Sequence, residues 1–142
     1  MASVSIDQMK AHVEDIAAKH HVSLVLEPGI KNPMVKHTDG IEPTTILSVP
    51  IENELYYATV LHELGHCIEP QAYQLRGLER LFRLDKAIVL SEEQAAWDWA
   101  EKNALEWTPK MSKLRLAAYR TYTDNIYNSD VHTTVQNILA EG

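Results

Sequence analysis

The sequence predicts an α+β fold in which a small N-terminal sheet is followed by several helices. Three observations lead there. Strand-like runs are confined to the chain before Pro50. After Pro50 the apolar residues recur at helical spacing, with breaks at Pro70, Gly77 and Thr108-Pro109. No repeat, low-complexity tract or linker divides the 142 residues, so residues 1–142 are expected to form a single domain around one core.

The elements follow in order. Ile6, Met9, Val13, Ile16 and Ala17 form an apolar stripe, and Ser5 with Gln8 has capping-box spacing, which predicts a helix over about 6–20. The run Val22-Ser-Leu-Val-Leu-Glu27 reads as a strand stopped by Pro28-Gly29. The stretch 33–50 carries Pro33, Asp39-Gly40, Pro43 and Pro50. It reads as one or two short strands, of which Thr44–Val49 is the better. From about residue 53 the chain reads as helices.

Composition removes several function classes. The net charge of −7 and the pI near 5.4 argue against nucleic-acid binding, which draws on a basic surface. No apolar run approaches the ~20 residues of a membrane span. Residues 1–7 lack the charged head and apolar stretch of a secretory signal. The single cysteine, Cys67, cannot form an internal disulfide. A cytoplasmic protein is the expectation.

One motif dominates. His62-Glu63-Leu64-Gly65-His66 is an H-E-x-x-H pattern. Residues four apart share a helix face, so both imidazoles can meet one metal ion. Glu63 then sits beside the vacant coordination positions, where a carboxylate can take a proton from zinc-bound water. With seven histidines in 142 residues, chance placement yields on the order of 0.03 such patterns. The flanks Thr59-Val60-Leu61 and Cys67-Ile68 are uncharged, as a helix buried on its back face requires.

A catalytic zinc needs a third protein ligand. Glu69 lies on the same helix, but the groups would span about 10 Å of axis, so it suits a helix end or a supporting role. A metzincin histidine is ruled out, because positions 69 and 72 are Glu and Ala. Glu92 and Glu93 remain. Glu93 shares a helix face with Ala96, Trp97, Ala100, Ala104 and Trp107. Glu92 shares a more polar one with Ala95, Ala96, Trp99, Asn103 and Glu106. Phase therefore selects Glu93, and the alanines beside it let a second helix come close. The competing explanation is that Ser91 and Gln94 form a capping box and the acids favour a helix start.

The run Tyr57-Ala-Thr-Val-Leu-His-Glu-Leu-Gly-His66, followed by Glu93-x-x-Ala-x-x-Trp-Ala100, resembles the ImmA/IrrE family of small zincin-like metallopeptidases. It is also similar to metallopeptidase domains of phage and plasmid anti-restriction proteins. The resemblance covers roughly residues 5–109. Where the family often has Ala-Asn, this chain has Ala96-Trp97, and Pro109 comes later than usual. The resemblance implies a helix, a small sheet, the H-E-x-x-H helix and a glutamate-bearing helix. It also implies a regulatory protein, often a repressor on mobile DNA, as substrate.

The expectation is a cytoplasmic zinc metallopeptidase. His62, His66 and Glu93 hold Zn²⁺, Glu63 is the general base, and a protein or peptide substrate lies along an exposed edge at the 44–49 strand. The alternative is a non-proteolytic phage or mobile-element accessory module in which zinc only stabilises the fold. Other candidates have plainer explanations. Tyr119, Tyr122, Tyr127 and His132 can face an oxyanion, but tyrosines are more often packing groups. His12, His20, His21 and His37 read as surface residues. Lys110, Lys113, Arg115 and Arg120 read as a solvated helix face. Trp97, Trp99 and Trp107 read as core, and Cys67 as a small buried apolar group.

Overall fold

A computed structural model describes residues 4–30, 33–37, 43–72, 86–123 and 131–141. Its first element, α1 (Ile6–Lys19), begins with the capping box seen in the sequence. The Gln8 amide donates to Ser5 Oγ at 3.1 Å, and the Ser5 amide donates to Gln8 Oε1 at 2.8 Å. At the other end the Val22 amide reaches the Ala17 carbonyl and the His21 amide the Ala18 carbonyl. This is a Schellman closure, with His21 in the left-handed region at φ 57° where glycine is usual. His20 and His21 are exposed, as expected of surface residues.

Strands β1 (Ser23–Leu26), β2 (Met34–His37) and β3 (Pro43–Ser48) form one sheet in the order β1-β3-β2. β1 runs parallel to β3, pairing Leu24 with Ile46, and β2 runs antiparallel to β3, pairing Val35 with Ile46. One expectation is overturned here. The 44–49 strand is central and hydrogen-bonded on both sides, so it offers no edge to a substrate. The free edges among the described strands are β1 and β2.

The rest is helical: α2 (Glu54–Ile68), a 3₁₀ turn (Pro70–Ala72), α3 (Lys86–Asn103), α4 (Pro109–Thr123) and α5 (Val131–Ala140). Five helices and a three-stranded sheet, among the described residues, make an α+β fold. Asn53 caps α2 by accepting from the Leu55 and Tyr56 amides. Thr108 caps α4, with Pro109 in the first helical position, where its missing N–H costs nothing. The expected break at Gly77 lies outside the described residues.

One hydrophobic cluster draws Met9 and Val13 from α1, Ile46 from β3, Trp97 and Ala100 from α3, Met111 from α4 and Val135 from α5 around α2. Thirteen consecutive α2 residues, Leu55–Cys67, are buried. Leu55, Val60, Leu61 and Leu64 are fully enclosed, each contributing about 1.5–3 kcal/mol relative to exposure. No described helix is long and apolar enough to cross a membrane.

Candidate metal centre

The centre is built where α2 and α3 touch. Gly65 makes the contact possible: a Cβ there would lie 2.7 Å from the Ala96 carbonyl oxygen. With glycine on one helix and alanine on the other, the backbones approach closely enough for Glu93 to reach across.

His62, His66 and Glu93 are all buried and bring their ligand atoms within 4.8 Å of one another. His62 Nε2 lies 3.2 Å from His66 Nε2. Glu93 faces both rings, with Oε1 3.1 Å from His62 Nε2 and Oε2 2.7 Å from His66 Nε2. Two nitrogens at ~2.0–2.1 Å from a tetrahedral ion stand roughly 3.3 Å apart, so the spacing fits one metal ion.

The other ring nitrogens fix the tautomers. His66 Nδ1 lies 2.8 Å from the Ala72 carbonyl, which can only accept, so Nδ1 carries the hydrogen. Pro70 ends α2 and starts the turn that delivers this carbonyl. His62 Nδ1 lies 3.1 Å from Glu63 Oε1, an ion-pair contact that favours the hydrogen on Nδ1. Both Nε2 lone pairs therefore converge with the Glu93 oxygens on one buried point. Acceptors converging on a buried point need a positive charge between them, either a proton or a cation.

Electrostatics agree. Burial pulls the His62 imidazole down, but the Glu93 and Glu63 carboxylates outweigh it and push its pKa up to about 10. Burial would raise the Glu93 carboxyl, but His66 and His62 hold it well below the usual carboxylate range. Cys67 is buried and its thiol is pushed up to about 12, by burial first and the Glu63 charge second, so it is an inert packing group.

Glu92 does not behave as phase suggested. It is fully buried, at 0% exposure against 5% for Glu93, so the two carboxylates differ in direction and not in depth. The capping-box alternative also fails. α3 already runs from Lys86, which places Ser91 inside the helix. Glu69 is the C-cap of α2 and accepts from the Gln71 amide, as a helix-end residue would.

Several partners were not read from the sequence. Trp97 stacks on His62, with ring centroids 4.2 Å apart and planes 13° from parallel. Its spacing of four from Glu93 was the available signal. His12 is not a plain surface residue: it is half-buried, and its Nδ1 accepts from the Tyr57 hydroxyl at 2.7 Å. That hydroxyl in turn accepts from the Leu105 amide at 3.0 Å, linking α1, α2 and the segment after α3. Burial lowers the His12 pKa, with Asp15 pulling the other way, which keeps Nδ1 free to accept.

His132 pairs with the Tyr56 hydroxyl at 2.7 Å, two turns before Glu63, and is not one of the clustered groups. Tyr119 is half-buried on α4. The Tyr122 and His37 side chains and all of Tyr127 lie outside the described residues. The basic run is partly neutralised in space, Arg115 by Asp98 and Glu101 and Lys113 by Glu141. Trp97 is core, while Trp99 and Trp107 pack at its margin.

Comparison with protein-family models, with curated proteins and with solved structures finds no match in any of the three. What the site can do therefore rests on its own geometry: a buried His-His-Glu group able to hold a metal ion, with a second glutamate beside it.

Proposed function

We propose that this chain is a zinc-dependent endopeptidase of the ImmA/IrrE-like, zincin type, acting in the cytoplasm on a specific protein. The observation that carries the proposal is the convergence of His62 Nε2, His66 Nε2 and the Glu93 carboxylate on one buried point beside Glu63. Two imidazoles and one carboxylate suit zinc better than calcium or magnesium, which prefer all-oxygen sites. Three protein ligands are the pattern of a catalytic zinc, and the described residues supply three. When bound, zinc would supply Lewis acidity that polarises a peptide carbonyl and makes water more acidic.

The chain's own groups divide the remaining work. His62, His66 and Glu93 hold the ion. The Ala72 carbonyl and Glu63 Oε1 fix the two rings through their Nδ1 hydrogens. Glu63 takes the proton from the attacking water at its carboxylate and passes it to the leaving amine. Of the two free strand edges, β2 also packs against α2. We take β2 as the edge that a substrate peptide would extend as a further strand. The resemblance in the sequence points to a regulatory protein, such as a repressor on mobile DNA, as substrate. The acidic balance disfavours nucleic acid.

One observation favours a second reading. Glu63 Oε1 is engaged with His62 Nδ1, which is also what a purely ligand-orienting carboxylate does. In that case the protein is a non-proteolytic interaction module stabilised by zinc. Glu63→Gln separates the two, because the amide oxygen still accepts from Nδ1 but cannot take a proton from water. Elemental analysis and a proteome-wide search for new protein termini, in cells expressing either form, provide the measurement. We expect one zinc per chain in both forms and new termini with the wild type alone. Zinc in both without new termini in either supports the interaction module. Absence of metal from both sinks the two readings together.

A further inference from the structure

We infer that Trp97 is a positioning residue of the metal centre: its indole holds the His62 ring in the ligating orientation. The inference rests on the proposed metal centre and adds to it a residue outside the H-E-x-x-H and glutamate set. Glu93 and Trp97 stand one turn apart on α3 and reach His62 from two directions. The Glu93 carboxylate meets Nε2 at 3.1 Å, and the indole covers a ring face at 4.2 Å and 13°. Trp107 braces the indole in turn, edge-on at 6.4 Å and 74°. Trp97 is 3% exposed, so the covered face of His62 is closed to water.

Packing alone does not explain a tryptophan here. Among the described residues its Nε1 is buried without a hydrogen-bond partner, which is a cost that a phenyl ring would not carry. What an indole has beyond a phenyl ring is a stronger π face toward positive charge. An imidazole bound to a divalent cation carries that charge, and Trp97 lies parallel to it. A face of that kind holds the imidazole parallel to it and so sets the direction in which Nε2 points. This separates Trp97 from a core residue, whose loss lowers stability without turning a ligand.

The test uses the full-length chain stripped of metal, as wild type, Trp97→Phe, Trp97→Leu and His66→Ala. Zinc affinity is read by competition with a chromophoric chelator, cobalt loading by its visible absorption, and metal-free stability by denaturant unfolding. We expect zinc to bind about three-fold more weakly in Trp97→Phe, which keeps a flat ring on His62, and about thirty-fold more weakly in Trp97→Leu, the latter within the range for losing a group that orients a metal ligand. The cobalt absorption should shift in the same order. Metal-free Trp97→Phe should stay close to the wild type in stability, because losing the stranded N–H offsets the smaller ring. If Trp97→Leu does not fold, the Phe variant and its cobalt spectrum decide. Wild-type zinc affinity in both Trp97 variants, with zinc lost in His66→Ala, overturns the role of Trp97 and leaves the metal centre standing. A fall in affinity that only tracks a fall in metal-free stability also overturns it. Zinc retained in His66→Ala removes the metal centre itself, and this inference with it.

Discussion

Helices α1 and α2 have 14 and 15 residues, yet different physics holds them. α1 buries Met9, Val13 and Ala17 on one stripe and is closed at both ends by local hydrogen bonds. α2 is buried along thirteen consecutive residues and carries two histidines and a glutamate inside that buried stretch. A surface helix such as α1 is stabilised by its caps and one face. An enclosed helix such as α2 is stabilised by its neighbours, and its charged groups are tolerable only because they compensate one another. The contrast teaches where substitutions should hurt: across the α2–α3 contact for the centre, and at the chain ends of α1 for local stability.

The largest effects are expected at the ligands. Glu93→Gln and His66→Ala should weaken zinc binding by orders of magnitude. They should also forfeit the stabilisation metal supplies, about 4 kcal/mol when free metal is a thousand times the dissociation constant. Thermal melts with and without zinc measure this. Glu92→Gln should instead keep one metal per chain while costing about 1–3 kcal/mol of stability, since its carboxylate is also buried. Metal loss in that variant would move the third ligand to Glu92.

Glycine substitutions sharpen the same contrast. Gly65→Ala drives a Cβ against the Ala96 backbone and should cost about 1–3 kcal/mol or more, with weaker zinc binding. Gly29→Ala meets nothing within 4 Å and should change stability by no more than about 0.5 kcal/mol. Equal effects in chemical denaturation would show that the helix contact is not tight.

Next comes pH. In metal-free protein, His62 has a folded pKa of about 10 against ~6.5 when unfolded. Its contribution is complete below about pH 6.5 and is lost as pH rises toward 10. Glu93 is shifted down, so its contribution is present above about pH 4.3 and is lost on acidification through its folded pKa. Metal-free protein should therefore be more stable at pH 6 than at pH 9. Zinc needs the deprotonated ligands, so the stabilisation it adds should grow over the same interval. Melts with and without a chelator at both pH values test the sign, and a metal-free protein more stable at pH 9 would contradict it.

The smallest effects belong to α1. Ser5→Ala removes the cap and should cost about 1 kcal/mol without altering zinc affinity. His21→Gly relieves a left-handed residue and should stabilise by a few tenths to about 1 kcal/mol. A change in zinc affinity in either variant would show that the two helices are coupled more closely than their different burial suggests.

Whatever depends on neighbours in the chain was legible in the sequence. The α1 stripe and capping box, the Pro28-Gly29 turn, the α4 start at Pro109 and the paired imidazoles of His62 and His66 follow from helical period, cap chemistry and φ restriction. Helical phase also selected Glu93. The tertiary structure decided what needs two distant segments in one place. The sheet order put the 43–48 strand in the centre, because pairing partners are set by packing and not by local pattern. The depth of Glu92 came from the breadth of the packed face of α3, which buries Glu92 and Glu93 together while Ser91, Gln94 and Asp98 stay exposed. The Ala72 carbonyl on His66 and the indole stacked on His62 exist only once α2, the 3₁₀ turn and α3 are packed together. A sequence specifies which groups are available and which helix face they occupy. Distance, burial and mutual charge, which turn those groups into a centre able to hold a metal ion, arise only when the helices meet.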